Sequence, residues 1–313
     1  MRRLWLNLSE LWDRAFFTEK DLSIVGPFRI GYALLLLINV LVWRPDLDRW
    51  FGYQGAVTLE AGLALSSRDS WTLFAWLPPE PELLTLCHTI FLVQIVCLMV
   101  GLFTRFQSIC VFLWFVSFQN RTGIIFDGED NLFRLFAFYL IFLPAGRYLA
   151  VDQKIFRRAE PGPLPVWPLR LVQIQMTLVY LSAAVEKVRG PDWRAGTAWY
   201  YVSRLDDLFG KFYLPEFLFQ SLALSVLLSW IVVVVELMIP LGLWFRATRP
   251  ATVLLAIFLH LAMEYSMFLF LFQWLMILGL LSFVEPSEWR FLRRGARSGP
   301  GKLCSPATSL LDP

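Results

Sequence analysis

Long apolar runs leave this chain a single solvent in which it can fold. A helix needs about 20 mostly apolar residues to cross a hydrocarbon core about 30 Å thick. Residues 24–43, 83–103, 131–149, 168–187 and 222–245 meet that length, and 106–120 is shorter but as apolar. The run 250–284 is too long for one straight helix, which would extend roughly 50 Å at about 1.5 Å per residue. A break is expected near Glu264, Tyr265 and Ser266, giving about eight spans. Composition agrees, since 57% hydrophobic residues against 17% charged leaves too little polar surface to coat a soluble domain of 313 residues. The expected fold is therefore an all-α integral membrane protein, a polytopic bundle of about eight transmembrane helices whose first partner is the lipid bilayer.

Internal similarity refines this. Pro27-Phe28-Arg29-Ile30 recurs as Pro168-Leu169-Arg170-Leu171, and Gly101-Leu102 before Arg105 recurs as Gly242-Leu243 before Arg246. Both pairs lie 141 residues apart, which suggests a 4+4 tandem repeat of spans, a known way of building membrane folds. With the N-terminus inside, 16 Lys and Arg fall on inner segments and 8 on outer ones. The positive-inside rule then puts both termini in the cytoplasm of a multi-pass protein, with a bacterial inner membrane as the expected location. Residues 1–21 read as a cytoplasmic or interfacial segment, 22–289 as the transmembrane domain and 290–313 as a disordered, Gly-, Ser- and Pro-containing tail. The net charge of +3 is scattered, so no nucleic-acid surface is expected. Cys87, Cys97 and Cys110 lie inside apolar runs and read as small core residues.

Ionisable groups inside a membrane are costly unless paired or hydrated, which makes each a candidate site. On this topology Asn131 and Arg134 lie near the outer end of the fourth span, Lys187 at the outer end of the fifth, and His260 and Glu264 in the outer half of the seventh. Glu236 sits deeper in the sixth. Gln173, Thr177, Tyr180, Ala184 and Lys187 recur at spacings of four, three, four and three, so they share one helix face that can line a polar cleft. Each has a plainer reading. Lysine at a span's end commonly snorkels to the headgroups. Arg134 and Glu264 suit a structural ion pair, and His260 a satisfied core histidine, since the chain's two histidines have no carboxylate cluster to share a metal with. No metal site is expected. Gly-rich phosphate loops, G-x-S-x-G elbows and H-E-x-x-H helices are missing from the sequence.

The stretch Tyr180-Leu181-Ser182-Ala183-Ala184-Val185-Glu186-Lys187-Val188-Arg189-Gly190-Pro191-Asp192-Trp193 resembles the vitamin K-dependent gamma-carboxylase family, in particular its bacterial branch of HTTM (horizontally transferred transmembrane) proteins. Asp130-Asn131-Leu132-Phe133-Arg134-Leu135, followed by Phe142-Leu143-Pro144 and Leu149-Ala150-Val151-Asp152, resembles the family's middle segment. Phe258-Leu259-His260 and Pro286-Ser287-Glu288-Trp289 resemble its end, so the likeness runs over about residues 22–289. The resemblance implies that Lys187 is a catalytic base; taken with the shared helix face and the outer-end polar cluster, it leads to the expectation that His260 assists and that Asn131, Arg134, Gln173, Thr177, Tyr180 and Glu264 surround a substrate or quinone cleft. The implied cofactor is reduced vitamin K or another quinol, with oxygen and carbon dioxide as co-substrates. The base that forms from them takes a proton from the gamma carbon of a glutamate, in a protein or peptide on the outer side. A lysine held in an apolar cleft can shed its charge and accept a proton.

The chain also departs from the animal enzyme. Gly128-Glu129-Asp130 stands where that enzyme has a histidine before its middle segment, and about 24 residues follow Trp289 where it continues into a large lumenal part. Any substrate is thus expected to dock without such a part. The same bundle could instead bind or transport quinone or lipid without chemistry, or serve as a structural partner subunit.

Overall fold

The computed structural model describes residues 2–65, 71–157, 161–205, 215 and 217–285. The 286–289 part of the resemblance, Cys304 and the tail expected to be disordered lie outside the described residues.

Among the described residues nine longer helices carry the architecture: α1 (Arg2–Phe16), α2 (Val25–Val42), α3 (Pro81–Val100), α4 (Thr104–Arg121), α5 (Gly128–Phe142), α6 (Trp167–Arg189), α7 (Leu222–Trp244), α8 (Arg249–Ser266) and α9 (Phe272–Leu280). Four are long and apolar enough to cross a membrane: α2 with its extension to Phe51, α3, α6 and α7. At 18, 15, 18 and 9 residues, α4, α5, α8 and α9 are shorter, and α4 and α5 carry polar ends within those lengths. The expected break in the last apolar run falls at Ser266, whose hydroxyl turns back to the Ala262 carbonyl. Helix α1 stays outside the bundle with Leu11 and Trp12 exposed, tied down by the Arg170 guanidinium, which donates to the Ala15 carbonyl. A two-residue antiparallel pairing of β1 (Glu19–Lys20) with β2 (Leu164–Pro165) joins the N-terminal segment to the connection ahead of α6.

Helices consecutive in the chain pack against each other within two sets, α2 to α5 and α6 to α9. Helix α9 also contacts α2, α5 and α6, and so joins the sets. The core is aromatic: Phe28, Tyr32, Phe91, Phe115, Phe118, Phe133 and Phe136 are fully buried. Trp43 touches five phenylalanine rings, those of Phe51, Phe91, Phe115, Phe118 and Phe126. Outward faces carry Leu34, Val93, Val234, Leu254 and Phe258 in the open, a pattern suited to lipid rather than water.

Turns at one end are fixed by specific chemistry. Gly101, in the left-handed region at φ 77°, ends α3 with its N–H and that of Leu102 both on the Cys97 carbonyl. A Cβ there would meet Ala150 Cβ at 2.6 Å. The next helix is capped from afar: Asp152 accepts from Phe103 N at 2.7 Å, Thr104 N at 2.8 Å and Thr104 Oγ1 at 2.7 Å. Asp152→Ala would orphan three donors around a buried position. It is expected to lower stability by about 1–3 kcal/mol, read as the unfolding midpoint of detergent-solubilised protein by circular dichroism. Glu285, after α9, bonds Lys20 at 2.8 Å and Arg249 at 3.1 Å, and these partners hold its carboxyl below the usual carboxylate range.

At the opposite end α5 begins on a capping box. Asp127 accepts from Glu129 N, and Asp130 reaches back to Asp127 N. The helix thus starts three residues ahead of the expected span at Asn131.

Candidate functional site

Lys187 does not snorkel. From the last turn of α6 its ammonium turns inward to Glu236 Oε1 of α7 at 2.9 Å, with the lysine side chain 18% and the glutamate 7% exposed. The Trp193 ring covers it, with Nζ 5.2 Å from the ring centre. The correction has a physical reason. A buried carboxylate on the neighbouring helix offers the ammonium a charged partner nearer than the headgroups, and leaving that carboxylate unpaired would be costly.

Two turns back on the same face, the Tyr180 hydroxyl meets His260 Nε2 of α8 at 2.6 Å, and His260 Nδ1 meets Gln273 Oε1 of α9 at 2.5 Å. With the amide oxygen facing Nδ1, that nitrogen carries the proton and donates, leaving Nε2 to accept from the tyrosine. Seven residues, about 10 Å along a helix, separate Tyr180 from Lys187, so the two contacts lie on one face of α6. Four helices therefore converge on five polar side chains, all buried or nearly so, at one end of the bundle. Two of their atoms are buried without a protein partner, the acceptor Glu236 Oε2 and the donor amide Gln273 Nε2.

Gln273 owes its place to Glu129. That carboxylate, from the first turn of α5, accepts from Leu271 N at 2.8 Å and so caps the start of α9 just after Phe270, which is in the left-handed region at φ 47°. Glu129 thus stands in the segment where the resemblance would put a histidine, and it acts here on backbone. Beside it opens a cavity of about 770 Å³ walled by Trp43, Trp50, Phe126, Asp130 and Phe272.

The remaining residues singled out in the sequence are distributed differently. Gln173 and Thr177 share the Lys187 face as expected, but their polar atoms are committed. Gln173 takes a bond from Arg170 at 2.7 Å and donates to the Ser282 carbonyl at 2.6 Å. Thr177 donates to the Gln173 carbonyl and accepts from the Trp244 indole. Fourteen residues separate Gln173 from Lys187, about 21 Å along a helix, so it belongs to the other end of the bundle. Arg134 donates to Asn131 Oδ1 at 3.0 Å, and among the described residues no ion pair joins it to Glu264. Among the described residues no hydrogen bond or ion pair links Asn131 or Arg134 to Lys187 or His260. Sequence reasoning noted Glu236 without assigning it a partner and missed Gln273 altogether. The available signal was that both are polar residues inside otherwise apolar runs.

Comparison with known proteins gives two findings. The model of the HTTM domain matches residues 17–289. The sporulation-delaying protein SdpB of Bacillus subtilis (strain 168) is 26% identical over 202 residues, covering 60% of this chain and 60% of that protein. The matched part is thus less than two thirds of that relative's length. No solved structure matches.

Proposed function

Because this chain belongs to the HTTM domain family of membrane proteins, we propose that it is a carboxylase-like membrane enzyme in which Lys187 is the base toward a quinol. The observation that supports this reading is the buried Lys187–Glu236 pair set beside the Tyr180–His260–Gln273 chain. The donor set suits a quinol: a hydroxyl can donate to the unpartnered Glu236 Oε2, and its oxygen can accept from the unpartnered Gln273 Nε2. When bound, the quinol supplies the oxygen-dependent chemistry that the resemblance implies. The chain's own part is to hold and move protons. Passing one proton from Nζ to Oε1 along the 2.9 Å bond leaves a neutral amine and a neutral carboxyl, and the amine then accepts the quinol's proton. Tyr180 and His260 fix the polar wall beside it, and the Trp193 ring limits access of water.

The same reading extends to topology: eight spans in two quartets, both termini cytoplasmic, in a bacterial inner membrane. In support, the two sets of helices pack in the same order. After each set, an acidic residue returns to the turn before the set's third helix, Asp152 to Phe103 and Thr104, and Glu285 to Arg249.

A second reading, quinone or lipid binding without chemistry, is favoured by one fact: the Lys187 ammonium is ion-paired with Glu236, as in a structural pair. Turnover separates the two. Purified protein in nanodiscs, given a reduced naphthoquinone, oxygen and bicarbonate, is expected to oxidise the quinol. Lys187→Ala and Lys187→Arg should each lose about 10²-fold or more, because removing a general base costs about that much and arginine does not release its proton. Undiminished oxidation in either variant would sink the lysine's role.

A further inference from the structure

Between the start of α4, the end of α5 and the start of α6 lies a second cavity, of about 550 Å³, at the end of the bundle opposite Lys187. Its rim carries the exposed guanidinium groups of Arg105 and Arg147, and neither makes an ion pair among the described residues. Its one lining carboxylate, Asp152, is buried and already takes three hydrogen bonds from Phe103 and Thr104. The walls are apolar and aromatic, with Phe103, Phe106 and Phe156 exposed and Trp167 half-buried.

Arg147 is held in place by a buried scaffold. Beneath it, Arg29 donates to the carbonyls of Ala145 at 2.6 Å, Tyr148 at 3.1 Å and Leu149 at 2.8 Å, which flank position 147 on both sides. Leu149 is kept in the left-handed region at φ 50°, a strained state for leucine that persists only where its surroundings fix it. The backbone carrying Arg147 is therefore rigid, and its side chain is presented over an apolar groove rather than folded onto a partner.

We propose that this groove binds the headgroup and upper acyl chain of an anionic phospholipid, with Arg105 and Arg147 on the phosphate and the aromatic walls along the chain. Two arginines that form no ion pair among the described residues, at the rim of an apolar recess between helices, match that chemistry in both charge and polarity. A soluble anion would have no use for the aromatic walls.

The test places the full-length chain in nanodiscs with phosphatidylglycerol or phosphatidylcholine, each brominated high on the acyl chains. Subtracting the signal of a Trp167→Phe variant isolates quenching of Trp167, which lines the groove. Phosphatidylglycerol is expected to quench Trp167 at the lower mole fraction. The double variant R105Q/R147Q should lose that preference by roughly 25-fold, taking roughly five-fold for each basic side chain near an anionic lipid, and R105K/R147K should keep it. Equal quenching by the two lipids in the unsubstituted chain would overturn the proposal, as would a preference that survives in R105Q/R147Q or vanishes in R105K/R147K. Abolition of the preference by inorganic phosphate, with ionic strength matched by chloride, would assign the groove to a free anion and overturn it equally.

Discussion

Arg29→Met is expected to destabilise the protein by at least about 3 kcal/mol. Arg29 is completely buried, and its guanidinium donates to the carbonyls of Ala145, Tyr148 and Leu149 and, at 3.4 Å, of Met99. These carbonyls belong to the end of α3 and to the turn after α5, places where no helix continues to use them. Methionine fills similar volume but donates nothing. Each buried carbonyl left unpaired costs about 1–3 kcal/mol, and several are lost together. Arg29→Lys should recover only part, because a single ammonium cannot span carbonyls that the planar guanidinium fork reaches at once. The measurement is urea or thermal unfolding of the detergent-solubilised protein followed by circular dichroism. A change below about 0.5 kcal/mol, the level of an ordinary surface substitution, would show that the carbonyls find other donors. Arg170, 141 residues on, is only half-buried and should tolerate the same change better.

Much of this was legible in the chain itself, for reasons tied to period and length. Helices α2, α3, α6 and α7 follow from apolar runs long enough to span, and Ser266 ends α8 where a single helix would have outrun the membrane. The 3-and-4 spacing correctly set Tyr180 and Lys187 on one face, since that spacing is a property of the helix alone. Partners across helices are another matter. Which way Lys187 bends depends on the rotation of α7, which brings Glu236 to it. Gln273 matters only because Glu129, 142 residues before Leu271 in the chain, caps the turn there. Neither relation leaves a local pattern. Gln173 and Thr177 show the converse, a shared face read correctly whose polar atoms are spent on Arg170, Ser282 and Trp244. Arg134 and Glu264 did not pair: Arg134 turns to Asn131, three residues back on its own helix.

Lys187→Met and Glu236→Leu are each expected to cost about 3–5 kcal/mol singly, and far less in combination. Both side chains are well under a third exposed, so removing one leaves the other's charge buried without compensation. The double variant removes both charges and fills the space with apolar atoms, an exchange that is often neutral or stabilising in buried sites. Stability and turnover then part company. If the pair serves only to hold α6 against α7, K187M/E236L should fold and work nearly as the unsubstituted chain does. If Lys187 is the base, the double variant should unfold at close to the original midpoint yet oxidise quinol at the level of Lys187→Ala. Glu236→Gln adds the finer distinction. It keeps a hydrogen bond to the ammonium while denying it a carboxylate to receive its proton, so turnover should fall while quinol binding, read by equilibrium titration, stays within a few fold. A binding loss as large as the turnover loss would instead mean that Glu236 acts only by holding the quinol, and the proton would need another route off Lys187.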